Sequence, residues 1–283
     1  PSAQQYVTAA DTIATTTMST SNFKYLKIKK IDWRALGAVD PTIFTQGKCG
    51  ACWAISISQT VGSQYFLKHN LSKVPSLSFQ QLICCDCRSR DLGCKGGDPW
   101  TGYQNILDAG GLERSNVYPF VDSSCPNNQI SRTCNTRNQC RNCKFNRAYV
   151  VASIKGVKNV TLSPQFGGNS NETLLAETLG SEGPISICID SKSWRYYKHG
   201  ILTSGEATRL SHCVQLVGMD STYSTPYWIV KNSWGAAVSI LFFSFLFLIC
   251  NLFICVSCCV ANLTPLSFET LNKIMSSLVN RAT

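Results

Sequence analysis

Gln46-Gly-Lys-Cys-Gly-Ala-Cys-Trp53 carries most of the functional information in the sequence, because it places a cysteine at the start of a predicted helix, directly after a glycine-bearing loop. A thiol is a weak nucleophile until it ionises. A helix N-terminus together with a nearby imidazolium lowers the pKa of a cysteine by several units, roughly from 8.5 to about 4. Cys52 holds this position, and the stretch therefore predicts a catalytic thiol.

The helix after Cys52 is predicted from apolar residues that recur at helical spacing in a segment ending at Leu67, namely Trp53, Ile57, Val61 and Tyr65. Taken alone, the stretch also fits a buried structural cysteine. Two cysteines three residues apart, here Cys49 and Cys52, recur in redox and metal sites as well.

Two residues far along the chain complete a candidate catalytic set. His212 lies in Leu-Ser-His-Cys-Val-Gln-Leu-Val-Gly, which is typical of a buried strand, and Asn232 lies in Tyr-Trp-Ile-Val-Lys-Asn-Ser-Trp-Gly, a strand followed by a turn. A histidine on an apolar strand is more often a core residue, but a strand also presents its imidazole from a rigid element. His69 and His199 lie in no motif, and we interpret them as structural.

These motifs resemble those of the papain-like cysteine peptidases of the cathepsin type, whose cysteine signature is Cys-Gly-Ser/Ala-Cys-Trp/Tyr. The resemblance implies that Cys52 attacks the scissile carbonyl. His212 would hold an ion pair with the thiolate and then protonate the leaving amine, while Asn232 orients the imidazole. The side-chain amide of Gln46 and the backbone N–H of Cys52 would stabilise the oxyanion. No metal and no organic cofactor is implied.

The spacing of this set differs from that of the family. There the histidine and asparagine lie about 130 to 150 residues after the cysteine, whereas here the separations are 160 (212 − 52) and 180 (232 − 52). Because both are longer, the extra residues are expected between Cys52 and His212. The polar segment 122–142 is the predicted insertion, since insertions in surface loops cost little free energy.

Further matches extend the resemblance over most of residues 31–235. Leu77–Asp86 and Gly93-Cys-Lys-Gly-Gly97 resemble the second helix of the family and the glycine-rich wall of its cleft. An ordinary Gly-Gly turn is the alternative. Glycines let a substrate backbone come close. The resemblance implies substrate-binding residues at Gly96, Gly97, Asp98, Pro99, Ser211 and Trp234. Asp98 in this set suggests a preference for basic side chains two residues before the cut.

Sixteen cysteines in 283 residues indicate an oxidising compartment. The resemblance implies disulfides between Cys49 and Cys94 and between Cys85 and Cys143. We interpret Cys188 and Cys213, which lie in apolar strand patterns, as buried free thiols. Cys140-Arg-Asn-Cys143 also fits half a zinc knuckle, but no second half is evident and a disulfide is favoured.

The expected location is lysosomal or secreted, in agreement with glycosylation triplets at Asn70, Asn159 and Asn171. The formal charge of +10 raises the question of nucleic-acid binding. Only the run Lys24–Arg34 is dense in basic residues, so we interpret the remainder as a solvated surface and expect no nucleic-acid partner.

The fold class implied by the resemblance is α+β, a papain-like two-lobed fold with a helical N-terminal lobe, a β-barrel-like C-terminal lobe and the active site in the cleft between them. The predicted division is a propeptide remnant and linker (1–29), a peptidase domain (30–235, with the helical lobe 30–145 and the β lobe 146–235) and an atypical tail (236–283). Predicted elements of the second lobe are the strands Ala148–Ile154, Ile185–Ile189, Cys213–Met219 and Tyr227–Lys231, with a helix at Leu174–Leu179.

The tail is the anomaly of the sequence. Ala236–Val260 is almost wholly apolar and exceeds the roughly 20 residues that a membrane-spanning helix needs. A span starting at Ala236, four residues after Asn232, would press the catalytic face against the bilayer. The Phe, Leu, Ser and Cys content of Ser239–Cys259 is typical of a translated pyrimidine-rich intron, which we favour. We therefore expect the last strands of the β lobe to be missing, and this leaves the activity of the chain open.

Three function classes follow from these observations. A cysteine-type endopeptidase is favoured by Gln46, Cys52, His212 and Asn232 together, with peptide or protein substrates, its own propeptide and cystatin-like inhibitors as partners. A non-catalytic, membrane-associated binding protein on a peptidase scaffold is supported only by the apolar tail. A transglutaminase-like acyltransferase is disfavoured by the Gly-Cys-Lys-Gly-Gly motif and by the asparagine in third place.

Overall fold

The computed structural model describes residues 28–86, 91–121, 143–162, 171–197, 199–202, 210–235, 240–244 and 252–259. Its helices are α1 (Cys52–His69), α2 (Phe79–Cys85), α3 (Pro99–Ala109) and α4 (Glu172–Glu182). Its strands are β1 (Lys30–Asp32), β2 (Leu112–Glu113), β3 (Val150–Ala152), β4 (Gly156–Leu162), β5 (Ile185–Ile189), β6 (Ile201–Leu202), β7 (His212–Asp220), β8 (Tyr227–Lys231), β9 (Ile240–Ser244) and β10 (Leu252–Cys259). This arrangement confirms the predicted α+β class.

The helix α1 is buried from Cys52 to Leu67, with Tyr65 alone partly exposed over that length. One side of α1 packs against α2 and α3, and the other packs against β5 and β7. Small polar groups meet on the second side, where Ser56 Oγ lies 2.8 Å from Ser186 Oγ and Gln215 Nε2 donates to Ser63 Oγ at 3.0 Å. The predicted helix is confirmed, and it joins the helical lobe to the sheet.

Eight strands form one sheet in the order β4-β10-β5-β7-β8-β9-β6, with β1 paired to β7 beside this path. All of these pairs are antiparallel except β6 with β9. The core of this lobe packs α4 against the sheet. Trp33, fully buried, ties the start of the chain to it by donating from Nε1 to the carbonyl of Leu179 at 2.8 Å.

The apolar tail supplies two strands of this sheet, whereas the sequence analysis expected its last strands to be missing. β9 pairs along all five residues of β8, and β10 lies between β4 and β5. A continuous apolar run also fits a strand, and periodicity alone does not separate a short strand of this kind from part of a helix. Over the ranges that the structure describes, no helix has the length and apolarity needed to cross a membrane.

The other predicted strands and the second-lobe helix agree with the structure to different degrees. β5 and β8 have the predicted bounds, while β7 and α4 extend beyond theirs at both ends. The predicted strand Ala148–Ile154 is wrong in extent, because only Val150–Ala152 is a strand, and it pairs with β2 instead of joining the large sheet. Residues 1–27 and the predicted insertion 122–142 lie outside the described residues. The domain boundaries stay a prediction.

Candidate active site

Cys52 is the first residue of α1 and is 2% exposed. The residue before it, Ala51, has no side-chain oxygen to cap the helix, and no acidic residue lies in the first turn. The first backbone N–H groups of a helix carry partial positive charge and lack partners within the helix. The start of α1 is therefore an environment that favours a thiolate over a thiol.

His212 is the first residue of β7 and is likewise buried. Its Nε2 lies 2.6 Å from Oδ1 of Asn232, which directly follows β8, the antiparallel neighbour of β7. The backbone N–H of Ser233 also donates to this oxygen, at 2.8 Å. Because an amide oxygen only accepts hydrogen bonds, Nε2 carries the proton and Nδ1 is left to exchange one with a thiol. Asn232 therefore fixes the tautomer of His212.

Two indole rings enclose this imidazole. The ring of Trp234 lies 4.7 Å from that of His212, tilted by 32°, and the ring of Trp194 meets it edge-on at 5.8 Å. Burial lowers the pKa of His212 to about 4, while the hydrogen bond that the ring donates to Asn232 acts in the opposite direction. An imidazolium in this apolar pocket therefore requires an anion such as a thiolate as its partner.

Gln46 is held by the loop that carries Asn232. Its backbone N–H donates to the carbonyl of Ser233 at 3.0 Å, and its Oε1 accepts from Ser233 Oγ at 2.8 Å. Its Nε2 donates to the carbonyl of Cys49 at 3.0 Å, close in sequence to Cys52. An amide nitrogen has two hydrogens, so one of them remains for an oxyanion. Sequence reasoning missed Ser233, whose only signal is its place after Asn232.

A buried lysine adds a further contact between the segment that contains Gln46 and the segment that contains Asn232. Lys231 donates from Nζ to the carbonyl of Asp40 at 2.7 Å, and Nζ lies 5.6 Å from the ring centroid of Phe44. Burial lowers its pKa to about 8, with the charge of Asp40 opposing. The backbone continues the contact, since Gly235 N donates to Phe44 O at 3.2 Å. Residues 40–46 are thus joined to residues 231–235 beside Asn232.

The glycine-rich wall lies against the start of α1. The disulfide between Cys49 and Cys94 joins the two, and Gly50 N donates to the carbonyl of Cys94 at 2.8 Å. A Cβ on Gly97 would lie 2.4 Å from the indole of Trp53. Gly97 is therefore required by packing against Trp53, a reason that the sequence interpretation, based on substrate approach, did not contain.

Asp98 is the N-cap of α3, because its Oδ1 accepts from Trp100 N at 2.9 Å, and Pro99 follows at the first helical position. Its own N–H donates to Oδ1 of the buried Asp91 at 2.8 Å. Burial and the charge of Asp86 hold the pKa of Asp91 well above its ordinary value. The Asp98 carboxylate thus has a structural role besides the predicted substrate contact.

The structure has three disulfides among the described residues. Two are the pairs implied by the resemblance, Cys49 with Cys94 and Cys85 with Cys143, so Cys143 is not a zinc ligand. The third corrects the sequence analysis, which expected free thiols at Cys188 and Cys213. These two residues lie directly opposite each other on β5 and β7, and antiparallel register brings their side chains together.

The other predicted site residues lie around this centre. Ser211 precedes His212 and accepts from Ser191 N at 3.1 Å. Gln46, His212, Asn232 and Trp234 share one network, and α1, which begins at Cys52, packs on β7, which begins at His212. Within the described ranges, no group of three or more metal-ligating side chains is close enough to hold an ion.

Residues 28–240 match the sequence model of a protein family that is described as "Papain family cysteine protease". The chain is 35% identical to Cysteine proteinase 1 of Dictyostelium discoideum, over 72% of this chain and 56% of the relative. It is 36% identical to the viral cathepsin of Lymantria dispar multicapsid nuclear polyhedrosis virus, over 72% of this chain and 50% of the relative. The chain therefore spans about half the length of these relatives.

Solved structures share the fold. Digestive procathepsin L 3 of Tenebrio molitor larval midgut superposes with a TM-score of 0.69 at 24% identity, covering 86% of this chain and 73% of that one. The bromelain protease from Ananas comosus superposes with a TM-score of 0.65 at 26% identity, covering 82% of this chain and 99% of that one. The two-lobed α+β prediction is confirmed by these likenesses.

Proposed function

We propose that this chain, which belongs to the papain family of cysteine proteases, hydrolyses peptide bonds through the thiol of Cys52. The observation that carries the proposal is the hydrogen bond of 2.6 Å between His212 Nε2 and Asn232 Oδ1. His212 begins strand β7, which packs against α1, the helix that begins at Cys52. The hydrogen bond gives the histidine the tautomer that a thiol–imidazole pair needs. The alternative of a non-catalytic binding protein is not favoured, because it gives this bond no role.

The reaction would proceed in two steps. The Cys52 thiolate forms a C–S bond to the scissile carbonyl, and the resulting oxyanion accepts from Gln46 Nε2 and the Cys52 backbone N–H. The C–N bond then breaks, and His212 gives its proton to the leaving amine. In the second step water attacks the thioester, His212 takes a proton from the water, and the C–S bond breaks to release a carboxylic acid.

Substrate would lie along the glycine-rich wall. Gly96, at a φ of 113°, and Gly97 would offer backbone groups to an extended peptide, with Asp98, Pro99, Ser211 and Trp234 bordering it. The Asp98 carboxylate supports a preference for basic residues two positions before the cut. Asp98→Asn tests this, because asparagine is an equally good N-cap. A loss of the preference for arginine over leucine substrates is expected, and an unchanged ratio would reject it.

The location that fits this activity is a lysosome or the extracellular space. Three disulfides support an oxidising compartment. We further propose synthesis as a zymogen, inhibition by the enzyme's own propeptide and sensitivity to cystatin-like inhibitors. A membrane span at 236–260 is not part of the proposal, since residues 240–244 and 252–259 are strands.

Labelling with a thiol-directed epoxide peptide tests the function. The expressed chain, in mildly acidic buffer with reductant, is expected to gain one adduct and to cleave peptide substrates. Cys52→Ala should abolish both, and Cys84→Ala, which removes another buried thiol, should abolish neither. An adduct that persists in Cys52→Ala, or a folded wild-type chain that neither labels nor cleaves, would overturn the proposal.

A further inference from the structure

Three Asn-X-Ser/Thr triplets lie in the described part of the chain, beginning at Asn70, Asn159 and Asn171. This triplet is the acceptor for N-linked oligosaccharide, a bulky and hydrophilic group that must project into solvent from the folded protein. All three asparagines are exposed. Exposure alone therefore does not separate them, and their backbone settings have to be compared.

Two of the three triplets are committed to regular structure. Asn159 and Thr161 lie within β4, where they are paired with Val256 and Cys255 of β10. Asn171 is the N-cap of α4, and its Oδ1 accepts from Leu174 N at 2.9 Å. A glycan on Asn159 would be attached within a paired strand, and a glycan on Asn171 would be attached to the side chain that caps α4.

Asn70 is different, because its triplet follows α1 and precedes the next element. Its backbone closes the helix, with φ 47° and ψ 48° and its N–H donating to Phe66 O. Asparagine tolerates this left-handed conformation better than most residues. Among the described residues, none is hydrogen-bonded to its side-chain amide. Leu71 packs against the core, whereas Asn70 and Ser72, the two residues that the acceptor triplet requires, are exposed.

The position is also remote from the reaction. Cys52 and Asn70 lie at opposite ends of α1, which has 18 residues. At the rise of an α-helix this is a separation of about 27 Å. An oligosaccharide at Asn70 therefore leaves the catalytic thiol and the glycine-rich wall open to substrate.

We propose that Asn70 carries an N-linked oligosaccharide. Its Nδ2 forms a bond to the anomeric carbon of a lipid-pyrophosphate-linked oligosaccharide. The bond from that carbon to the pyrophosphate oxygen breaks, the lipid pyrophosphate leaves with the electron pair, and the transferase takes the amide proton. This inference rests on the secretory location proposed above.

The test is mass mapping of the full chain secreted from a eukaryotic host. Enzymatic deglycosylation in heavy-oxygen water converts a glycan-bearing asparagine to labelled aspartate. We expect the label at Asn70, and a gel shift that disappears in Ser72→Ala. This substitution is preferable to Asn70→Gln, because it removes the acceptor triplet but keeps asparagine in the left-handed conformation. Thr161→Ala and Thr173→Ala are the matched variants for the other two triplets.

Disulfide mapping of the same sample distinguishes a failure of the Asn70 site alone from a failure of the proposed secretory location. Intact disulfides with no label at Asn70 would overturn the glycan site and leave the location standing. Reduced cysteines with no label at any asparagine would overturn both the proposed location and the site. A wild-type gel shift that persists in Ser72→Ala and disappears in Thr161→Ala or Thr173→Ala would place the glycan elsewhere and likewise overturn the proposal.

Discussion

The hydroxyl of Ser233 donates to Oε1 of Gln46 at 2.8 Å and thereby joins the proposed oxyanion donor to the loop that carries Asn232. The same residue donates from its backbone N–H to Asn232 Oδ1. One serine thus orients two amides with different tasks. In the proposed reaction the Gln46 amide would face the developing oxyanion, whereas the Asn232 amide holds the imidazole.

Ser233→Ala is expected to lower kcat/KM by about fivefold, since a neutral hydrogen bond contributes about 1 kcal/mol. The physical reason is that Gln46 gains freedom to rotate away from the oxyanion. Gln46→Ala should cost about 100-fold or more, in keeping with the loss of an oxyanion donor. Steady-state kinetics of both single variants and the double variant check this. A Ser233→Ala effect that is just as large when Gln46 is already alanine would contradict it.

Removing the thiol should expose the effect of burial on the imidazole. In Cys52→Ala no thiolate can partner His212, so its pKa is expected near 4, well below the ordinary value of 6.5. The folded state then binds this proton more weakly than the unfolded state, and stability falls as the pH drops from about 6.5 towards 4. NMR titration of the imidazole in this variant is the measurement. A pKa at or above 6.5 would show that the pocket does not penalise the charged ring.

Glu172 makes the stability of the β lobe depend on pH in the opposite direction, so that stability falls as the pH rises. Both of its carboxylate oxygens are buried at the start of α4, and this burial holds its pKa well above 4.5. The unfolded chain loses this proton first, so the contribution is present below about pH 4.5 and is lost as the pH rises towards the folded-state pKa. Glu172→Gln should flatten that decline in denaturant-unfolding curves. An equally steep decline in the variant would refute the assignment.

Gly97→Ala is expected to destabilise the cleft wall. The new methyl group would lie 2.4 Å from the fully buried Trp53 ring, and overpacking of this kind costs about 1–3 kcal/mol. Because Trp53 follows Cys52, kcat/KM should fall as well. Gly156→Ala is the control, since its added carbon meets nothing within 4 Å. Equal stability of the two variants by chemical denaturation would argue against this packing role.

Replacing both Cys188 and Cys213 by alanine should cost about 3.5 kcal/mol, the expectation for a loop closed over 25 residues. The bridge lies beside His212, whose strand pairs with β5 at that end. We therefore expect kcat to fall more than KM rises, because the imidazole loses its fixed position. Unfolding curves and kinetics at matched temperature test both parts. An unchanged kcat would limit the bridge to a structural role.

The sequence predicted what short patterns encode. α1 follows from apolar spacing after Cys52, and β5 and β8 from compact apolar runs. The Cys188–Cys213 bridge was missed because it depends on the register between two strands, which neither strand displays alone. β9 and β10 were missed because periodicity in an unbroken apolar run does not separate a membrane helix from a strand. The hydroxyl contact of Ser233 is a matter of tertiary geometry, and its local sequence carries no mark of it.

The place of β10 between β4 and β5 has a consequence for how the lobe forms. β4 and β5 both pair with β10, which begins some 60 residues or more after either of them ends. Neither pairing can form until β10 has left the ribosome. Such distant pairings are slow, because loop closure precedes the contacts that offset its entropy. During synthesis the inner edges of both strands stay open to other chains. We therefore expect this part of the sheet to form late in folding, once β10 has emerged and reached both of its neighbours.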